Sequence, residues 1–459
     1  MTTMAVFSAP PALPPRPDGS PASTLTITQS FHEWVHALEA AGWDIADGSR
    51  GKPSYPADRD ALAAMQQSFA SLVTVSPYGT SPLGEPQWQQ QAAEGFSREY
   101  GVDVAPETVV FTPGGQFGLA ASFYAIERAN PGSVILAPQP WYLNHEELAS
   151  LFVGDAMLTQ GRNAKFIGMD MLSTGGRMTP ELLERGLSAV EASGKKLGAF
   201  LFCNPSNPLG TVIRKGEWAA LAPILRRFPD VPILLDEAFA EIIFDEDFKS
   251  SLLHAAPDLQ DRIFLFRSGT KALGLAGERL AAMIVPPRYL PAVTAFQSRL
   301  LGNAPLTLQA GMSAALAKIG AQKKSFITQY YRANFHFLRD RLQQYGLWGQ
   351  VPVGPEGGFF LLLGFENLKG TPLPEMAANL LGKSTIETDT DLAFALLMGL
   401  GLPEGHARSE GVAVIPASAF GVAPERMLLR ISYSSSREEI SRIAERIGRA
   451  VASIAANEF

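Results

Sequence analysis

From about residue 106 onward the chain alternates short runs that are apolar throughout with longer stretches whose apolar residues recur at helical spacing. The runs are 109–112 (VVFT), 133–138 (SVILAP), 198–204 (GAFLFCN), 232–238 (PILLDEA), 263–270 (IFLFRSGT) and 280–286 (LAAMIVP). A strand with one wet face alternates polar and apolar residues. Runs without alternation are covered on both faces, and helices between such strands leave them parallel. The pattern predicts an α/β domain on a mainly parallel sheet over 66–320. Beyond residue 305 it changes to a long helical stretch, 306–347, then apolar runs at 355–365, 412–420 and 427–434 and a terminal helix ending near 456. This predicts a smaller α+β domain over 321–459, joined by a mainly helical N-terminal segment, 28–65. Residues 1–27, rich in proline and without the basic start and apolar core of a secretory signal, read as a flexible arm.

A length of 459 residues accommodates both domains, each with its own apolar core. The formal net charge of −7 gives no electrostatic reason to expect a nucleic acid or an anionic membrane as partner. No window approaches the roughly 20 unbroken apolar residues of a membrane span. One cysteine, Cys203, rules out an intramolecular disulfide and any CxxC site, so a reducing compartment, the cytoplasm, is expected.

In such sheets the ligand site is built from loops at the carboxyl ends of strands, and several of these runs end in polar or glycine-rich clusters. TPGGQ (112–116) closes a strand and opens a helical segment; its glycines let the backbone approach an anion, and the free amides of a helix start supply donors. In NPSNPLG (204–210) two prolines hold Asn204 and Asn207 in a stiff turn. DEAF (236–239) leaves Asp236 at the buried end of an apolar strand, where a carboxylate needs a cationic or hydrogen-bonding partner; a protonated heterocyclic nitrogen would serve. In RSGTKALGLAGER (267–279), Ser268, Thr270 and Arg279 can converge on a phosphate. Lys271, beside it in a partly dry pocket, can condense with an aldehyde. An anion site, a buried acid for a ring nitrogen and a lysine for an aldehyde together describe pyridoxal 5′-phosphate.

With these motifs in this order, the stretch from Tyr78 to Arg430 resembles the fold-type I aminotransferases of class I/II, the aspartate aminotransferase superfamily. The resemblance implies a three-layer sheet domain with a smaller α+β domain, pyridoxal phosphate as cofactor, and transfer of an amino group between an L-amino acid and a 2-oxo acid. Lys271, in S-x-T-K with G-x-R after it, would carry the cofactor and shuttle a proton as general acid and base, its pKa lowered toward neutrality. Asp236 would keep the pyridinium nitrogen protonated. Asn207 would bond the phenolic oxygen and help hold the substrate carboxylate, and Gly115, Gln116, Ser268 and Arg279 would grip the phosphate. Tyr142, in PWYLNH, corresponds to the aromatic residue that stacks on the ring, with Trp141 as the alternative and His145 placed to steady Asp236. Arg430, in MLLRISYS, would bind the α-carboxylate as a two-pronged pair. Tyr78, in SPYGTSPLGEP, resembles the tyrosine that reaches the neighbouring subunit's phosphate, which implies a homodimer with composite active sites. No metal is implied.

Phe239 departs from the pattern. Most relatives have a tyrosine there that donates to the cofactor's phenolate; phenylalanine removes the donor, so the lysine linkage should hold its proton more tightly. The same fold supports elimination, decarboxylation, racemisation and oxygen-dependent oxidation, so a lyase or an oxygen-dependent oxidase or decarboxylase is the alternative expectation. Side-chain specificity is not legible: no second cation for a distal carboxylate can be picked out, and residues around Gly51 and the loop 301–305 are expected to shape the pocket. From a different class, HEWVH (32–36) matches the H-E-x-x-H of zinc hydrolases, with His32 and His36 on one helix face and Glu33 beside them. No third ligand presents itself downstream, and the motif is expected outside the cofactor pocket, as surface or interface histidines of an amphipathic helix. A transcription regulator with an aminotransferase-like sensor would carry a DNA-binding module ahead of it, for which the arm is too short and not basic.

Overall fold

The computed structural model describes residues 14–17, 19, 26–51, 53–71, 78–152, 165–248, 250–399 and 408–456. Most of the arm expected over 1–27 lies outside the described residues.

Strand β1 (Asp44–Asp47) stands apart from the main sheet. The main sheet comprises β2 (Val109–Pro113), β3 (Val134–Gln139), β4 (Phe166–Asp170), β5 (Leu197–Cys203), β6 (Ile233–Asp236), β7 (Ile263–Ser268) and β8 (Leu280–Ile284). Their spatial order is β2-β8-β7-β6-β5-β3-β4. Strand β8 runs antiparallel to both neighbours, and every other pair is parallel. The six unalternating runs all became strands, and β6, β7 and β8 are buried at every position. Strand β4 was not among the expected runs: it is an edge strand, and its sequence FIGMD is only partly buried. The reversed sense of β8 has no signature in an apolar run, because a doubly buried strand reads the same in either direction.

Helices cover both faces and make three layers. On one face Pro86–Tyr100, Pro180–Ala192, Lys215–Arg226 and Leu306–Lys318 share a core with the sheet, in which Phe202 meets Trp218 edge-on at 5.2 Å. On the other, Gly115–Ala129 and Leu290–Leu300 pack through Leu119, Phe123, Val293 and Phe296. Each large apolar side chain buried in this way contributes about 1.5–3 kcal/mol. Because β2, β3, β5, β6 and β7 point the same way, Pro113, Gln139, Cys203, Asp236 and Ser268 all end at one edge.

The second body is built on β9 (Phe360–Gly364), β10 (Glu410–Ala413), β11 (Ile415–Pro416) and β12 (Leu428–Ser432), with β11-β12-β9 antiparallel and β1 parallel to β10. The helical stretch expected over 306–347 breaks at Ile319 and Gly320 into Leu306–Lys318 and Ala321–Gln344. The first of these belongs to the large-domain core and the second to the smaller one. The N-terminal helix Ile27–Ala40 joins the smaller core through Phe31, Val35 and Leu38. Buried Arg446, on the terminal helix Arg437–Ala456, ties β1 to β10 by donating to Gly411 O at 3.1 Å and Glu410 at 3.1 Å, and to Asp44. The helix Arg59–Ala70, partly inside the segment 28–65, packs instead on Leu306–Lys318 in the large domain.

Candidate active site

A cavity of about 380 Å³ opens where the carboxyl edge of the large sheet meets β12, β9 and the segment after β1. It is lined by Lys271, Asp236, Arg279, Ser268, Thr270, Gly115, Gln116, Tyr142, Asn207, Phe239 and Arg430, so the chain brings together all but one of the site residues expected from sequence. The exception is Tyr78, which is 92% exposed and does not line this cavity.

Lys271 sits in the turn between β7 and β8. Ser268 Oγ closes the start of that turn by accepting Thr270 N at 3.1 Å and donating to Thr270 Oγ1 at 2.8 Å, and Gly269 N binds Leu280 O at 2.8 Å. The lysine Nζ donates to Gly51 O at 3.2 Å and lies 5.9 Å from the centre of the Phe359 ring. Burial, then the charges of Arg430 and Arg279, pull its pKa down to about 8, against the opposing pull of Asp236.

Asp236 is the last residue of β6, between Cys203 of β5 and Phe266 of β7. Its Oδ1 accepts Ala238 N at 3.1 Å and its Oδ2 faces His145 Nε2 at 2.9 Å. His145 is fully buried and its Nδ1 has no partner, so Nε2 carries the proton that Asp236 accepts. Tyr142 stands edge-on to His145, and its hydroxyl accepts from Gln116 Nε2 at 3.2 Å and Asn144 Nδ2 at 2.9 Å. Burial pushes that phenol up to about 12, so the ring is neutral. Trp141, the alternative aromatic, is buried against Phe166 and does not line this cavity.

The helix Gly115–Ala129 points its free N-terminal amides at the site. Gly114 precedes it at φ 85°, and a Cβ there would collide with the Arg279 guanidinium. Arg279 itself takes φ 55°, a left-handed conformation that costs a non-glycine residue of order 1–3 kcal/mol. Among the described residues its one hydrogen bond is Nη1 to Ala276 O at 3.1 Å. Strained, pressed against a helix start and with no carboxylate paired to it among the described residues, Arg279 suits an anion.

Asn204 serves the fold, with Nδ2 on Ser250 O at 3.0 Å and Oδ1 under Ile213 N at 2.8 Å. Asn207 turns inward and its Oδ1 accepts from Arg430 Nη1 at 3.4 Å. Arg430 is 5% exposed, between the rings of Phe360 at 4.1 Å and Phe420 at 4.7 Å. Its Nη2 donates to Ser49 O at 2.6 Å, its Nε has no partner, and no carboxylate pairs with it among the described residues. Burial draws its pKa down to about 9. Below β9, the turn that carries Asn207 is pinned from the smaller domain: Gly210 O accepts Glu356 N and Gly357 N, and the Glu356 carboxylate accepts Val212 N at 3.0 Å and Arg177 Nη1 at 2.8 Å.

Two expectations need correction. The HEWVH motif does not lie outside the pocket: His32 lines the cavity, because β1 brings the N-terminal helix back over it. Its Nε2 meets Ser49 Oγ at 3.0 Å, while His36 Nε2 takes Arg50 Nη2 at 2.8 Å and Glu33 faces Arg16 at 3.6 Å. Among the described residues no group of three or more His, Cys, Asp or Glu side chains can hold a metal ion. The loop 301–305 does not line the cavity, whereas Gly51 does, together with Ser49, Arg50, Thr28 and Gln29. Arg50 is the cation that sequence reading missed; SRG after a short strand carries no local signal, and only the β1–β10 pairing brings it here.

These residues fit pyridoxal phosphate. The unpartnered face of Arg279 and the glycine-bounded helix start suit a phosphate, Asp236 with His145 suits a ring nitrogen, and Lys271 is the one lysine among the described residues that line the cavity. The sequence profile of the family described as "Aminotransferase class I and II" matches residues 49–447. Among similar curated proteins, a probable aspartate/prephenate aminotransferase of Rhizobium leguminosarum is 28% identical over 94% of this chain and 96% of its own length. The aspartate/prephenate aminotransferase of Cereibacter sphaeroides is 26% identical over 93% of this chain and 95% of its own. In fold, the chain is similar to the aspartate aminotransferase of Rhizobium meliloti (TM-score 0.74, 22% identity, 93% of this chain and 96% of that one). It is likewise similar to that of Thermus thermophilus with maleate (TM-score 0.73, 21% identity, 93% and 96%). These curated relatives are aminotransferases and do not favour the lyase, oxidase or zinc-hydrolase alternatives. The chain belongs to the class I and II aminotransferases, enzymes that work with pyridoxal phosphate.

Proposed function

We propose that this chain transfers the amino group between an L-amino acid and a 2-oxo acid through Lys271, Asp236 and Arg430, as a cytoplasmic homodimer. The observation that carries the reading is the buried Arg430 guanidinium, with an unpartnered Nε and no carboxylate paired to it among the described residues, in the same cavity as a lysine drawn down to about 8. When bound, pyridoxal phosphate supplies an aldehyde for an amine and a ring that takes up an electron pair. Arg279, Ser268, Gly115 and Gln116 would hold its phosphate, and Tyr142 would supply an aromatic wall for its ring. Asp236, oriented by the His145 N–H, would face the ring nitrogen and accept its proton in a hydrogen bond. Arg430 and Asn207 orient the substrate by its carboxylate, which fixes the Cα–H bond relative to Lys271. Lys271 Nζ, neutral in a useful fraction near pH 7–8, takes the Cα proton and would deliver it to the cofactor's former aldehyde carbon, so that the nitrogen stays behind when the 2-oxo acid leaves.

Arg50, the further arginine on the cavity wall, favours substrates with an acidic side chain, in keeping with the aspartate named for the relatives. Tyr78, exposed and away from this cavity, is free to serve the site of a second subunit. The test is to mix holoenzyme with single L-amino acids without a keto acid. The band near about 420 nm should give way to one near about 330 nm, fastest with aspartate or glutamate. Oxygen uptake or ammonia release with the long-wave band intact would refute transamination.

A further inference from the structure

Two side chains of the N-terminal helix take no part in the chemistry above, yet both hold the loop that the charged centres share. His32 Nε2 lies 3.0 Å from Ser49 Oγ, and Ser49 Oγ donates to Asp47 Oδ1, which also accepts Ser49 N at 3.0 Å. With the hydroxyl proton directed at Asp47, His32 is the donor to Ser49. A guanidinium can only donate, so His36 Nε2 accepts from Arg50 Nη2 at 2.8 Å, and Arg50 Nε lies 3.5 Å from Asp47 Oδ2. The nitrogens that a metal would need are thus engaged by the loop.

The gripped loop, 47–51, offers two carbonyls to the site. Ser49 O receives Arg430 Nη2 at 2.6 Å and Gly51 O receives Lys271 Nζ at 3.2 Å. Gly51 is wedged against the rings of Phe359 and Phe360; a Cβ there would stand 2.5 Å from Phe360 Cζ. The same Phe360 ring faces the Arg430 guanidinium at 4.1 Å.

We propose that His32 and His36 are positioning residues for substrate binding: they clamp the loop 47–51 so that the Ser49 carbonyl fixes one edge of Arg430 and leaves Nε and the remaining N–H groups aimed at a carboxylate. The proposal rests on the reading that Arg430 receives the α-carboxylate. Burial, then the charge of Arg50, pull the His32 pKa down to about 4, so His32 stays a neutral donor throughout the range in which the enzyme would be assayed.

The test measures propionate binding to the holoenzyme by titration calorimetry, beside steady-state kinetics. Losing the His32–Ser49 bond should weaken propionate about tenfold in His32→Leu and raise KM by a similar factor, with kcat within about twofold. His32→Gln, which keeps an N–H donor at the same reach, should restore most of the loss. Ser49→Ala removes only the hydroxyl and should weaken propionate to the same extent, which decides the matter if His32→Leu does not fold. Wild-type propionate affinity in His32→Leu or Ser49→Ala, while Arg430→Met abolishes binding, overturns the clamp but not the role of Arg430. A loss that His32→Gln does not restore also overturns the clamp. Propionate binding that survives in Arg430→Met overturns the reading beneath it.

Discussion

Replacing Arg430 by methionine should make the protein more stable and nearly inactive. The guanidinium is buried with one strong bond, to Ser49 O at 2.6 Å, one long bond to Asn207 and two aromatic faces. The fall in its pKa from the ordinary guanidinium value to about 9 corresponds to a penalty on the charged form of roughly 5 kcal/mol, at about 1.4 kcal/mol per tenfold. A base whose folded pKa is depressed carries that penalty in full below the folded value and sheds it only as pH rises above about 9 toward the ordinary guanidinium value, so at neutral pH all of it is present. Methionine is of similar length and carries no charge. It removes the penalty but leaves the Ser49 carbonyl unpaired, a loss of about 1–3 kcal/mol. The net expectation is a gain of about 2–4 kcal/mol, in line with other buried charges exchanged for apolar side chains. Loss of the paired donors should lower kcat/KM by about 10²–10³. Urea unfolding of both proteins in the same cofactor state, without substrate, reads the first number, and initial rates read the second. A variant destabilised by more than about 1 kcal/mol, or one that keeps near wild-type kcat/KM, would refute the argument that Arg430 is an uncompensated cation awaiting a carboxylate.

Capture of pyridoxal phosphate by apoenzyme needs the neutral Lys271 amine, so its rate should rise about tenfold from pH 7 to pH 9 and level off around a midpoint of about 8; a rate still climbing in proportion to hydroxide beyond pH 9 would place the pKa at its ordinary value. Phe239 packs edge-on against Phe359 at 5.0 Å and carries no donor into the cavity, so Phe239→Tyr should lower the pH at which the lysine-linked cofactor changes colour, and an unchanged titration would remove the significance given to this position. Gly114→Ala places a Cβ against the Arg279 guanidinium at a backbone angle that glycine tolerates best, so cofactor affinity, measured by fluorescence quenching of apoenzyme, should weaken by about 10–100-fold; wild-type affinity would show that Arg279 does not hold the phosphate.

The large sheet was legible because doubly buried strands leave an unmistakable run, as in Phe264 and Leu265 of β7, and because the polar residues that end those runs gather at one edge by the geometry of a parallel sheet. Lys271, Asp236 and Asn207 could be found on that ground. The edge strand β4 and the direction of β8 could not: the first is only partly buried, and burial on both faces erases the sense of the second. The wall formed by His32, Ser49 and Arg50 was hidden for another reason. It depends on a parallel pairing between residues 44–47 and 410–413, a contact across most of the chain that no local pattern announces. The H-E-x-x-H pattern misled in the same way, since its meaning lies in what the returning loop places against it.

The central claim is that Lys271 carries pyridoxal phosphate in a cavity whose ring-nitrogen partner is Asp236. Borohydride reduction of the holoenzyme followed by peptide mapping tests it most directly. A single pyridoxyl group is expected, on the peptide that contains Lys271, and it should be lost in Lys271→Ala. A pyridoxyl group on another lysine, or none on any peptide of a protein isolated yellow, would contradict it.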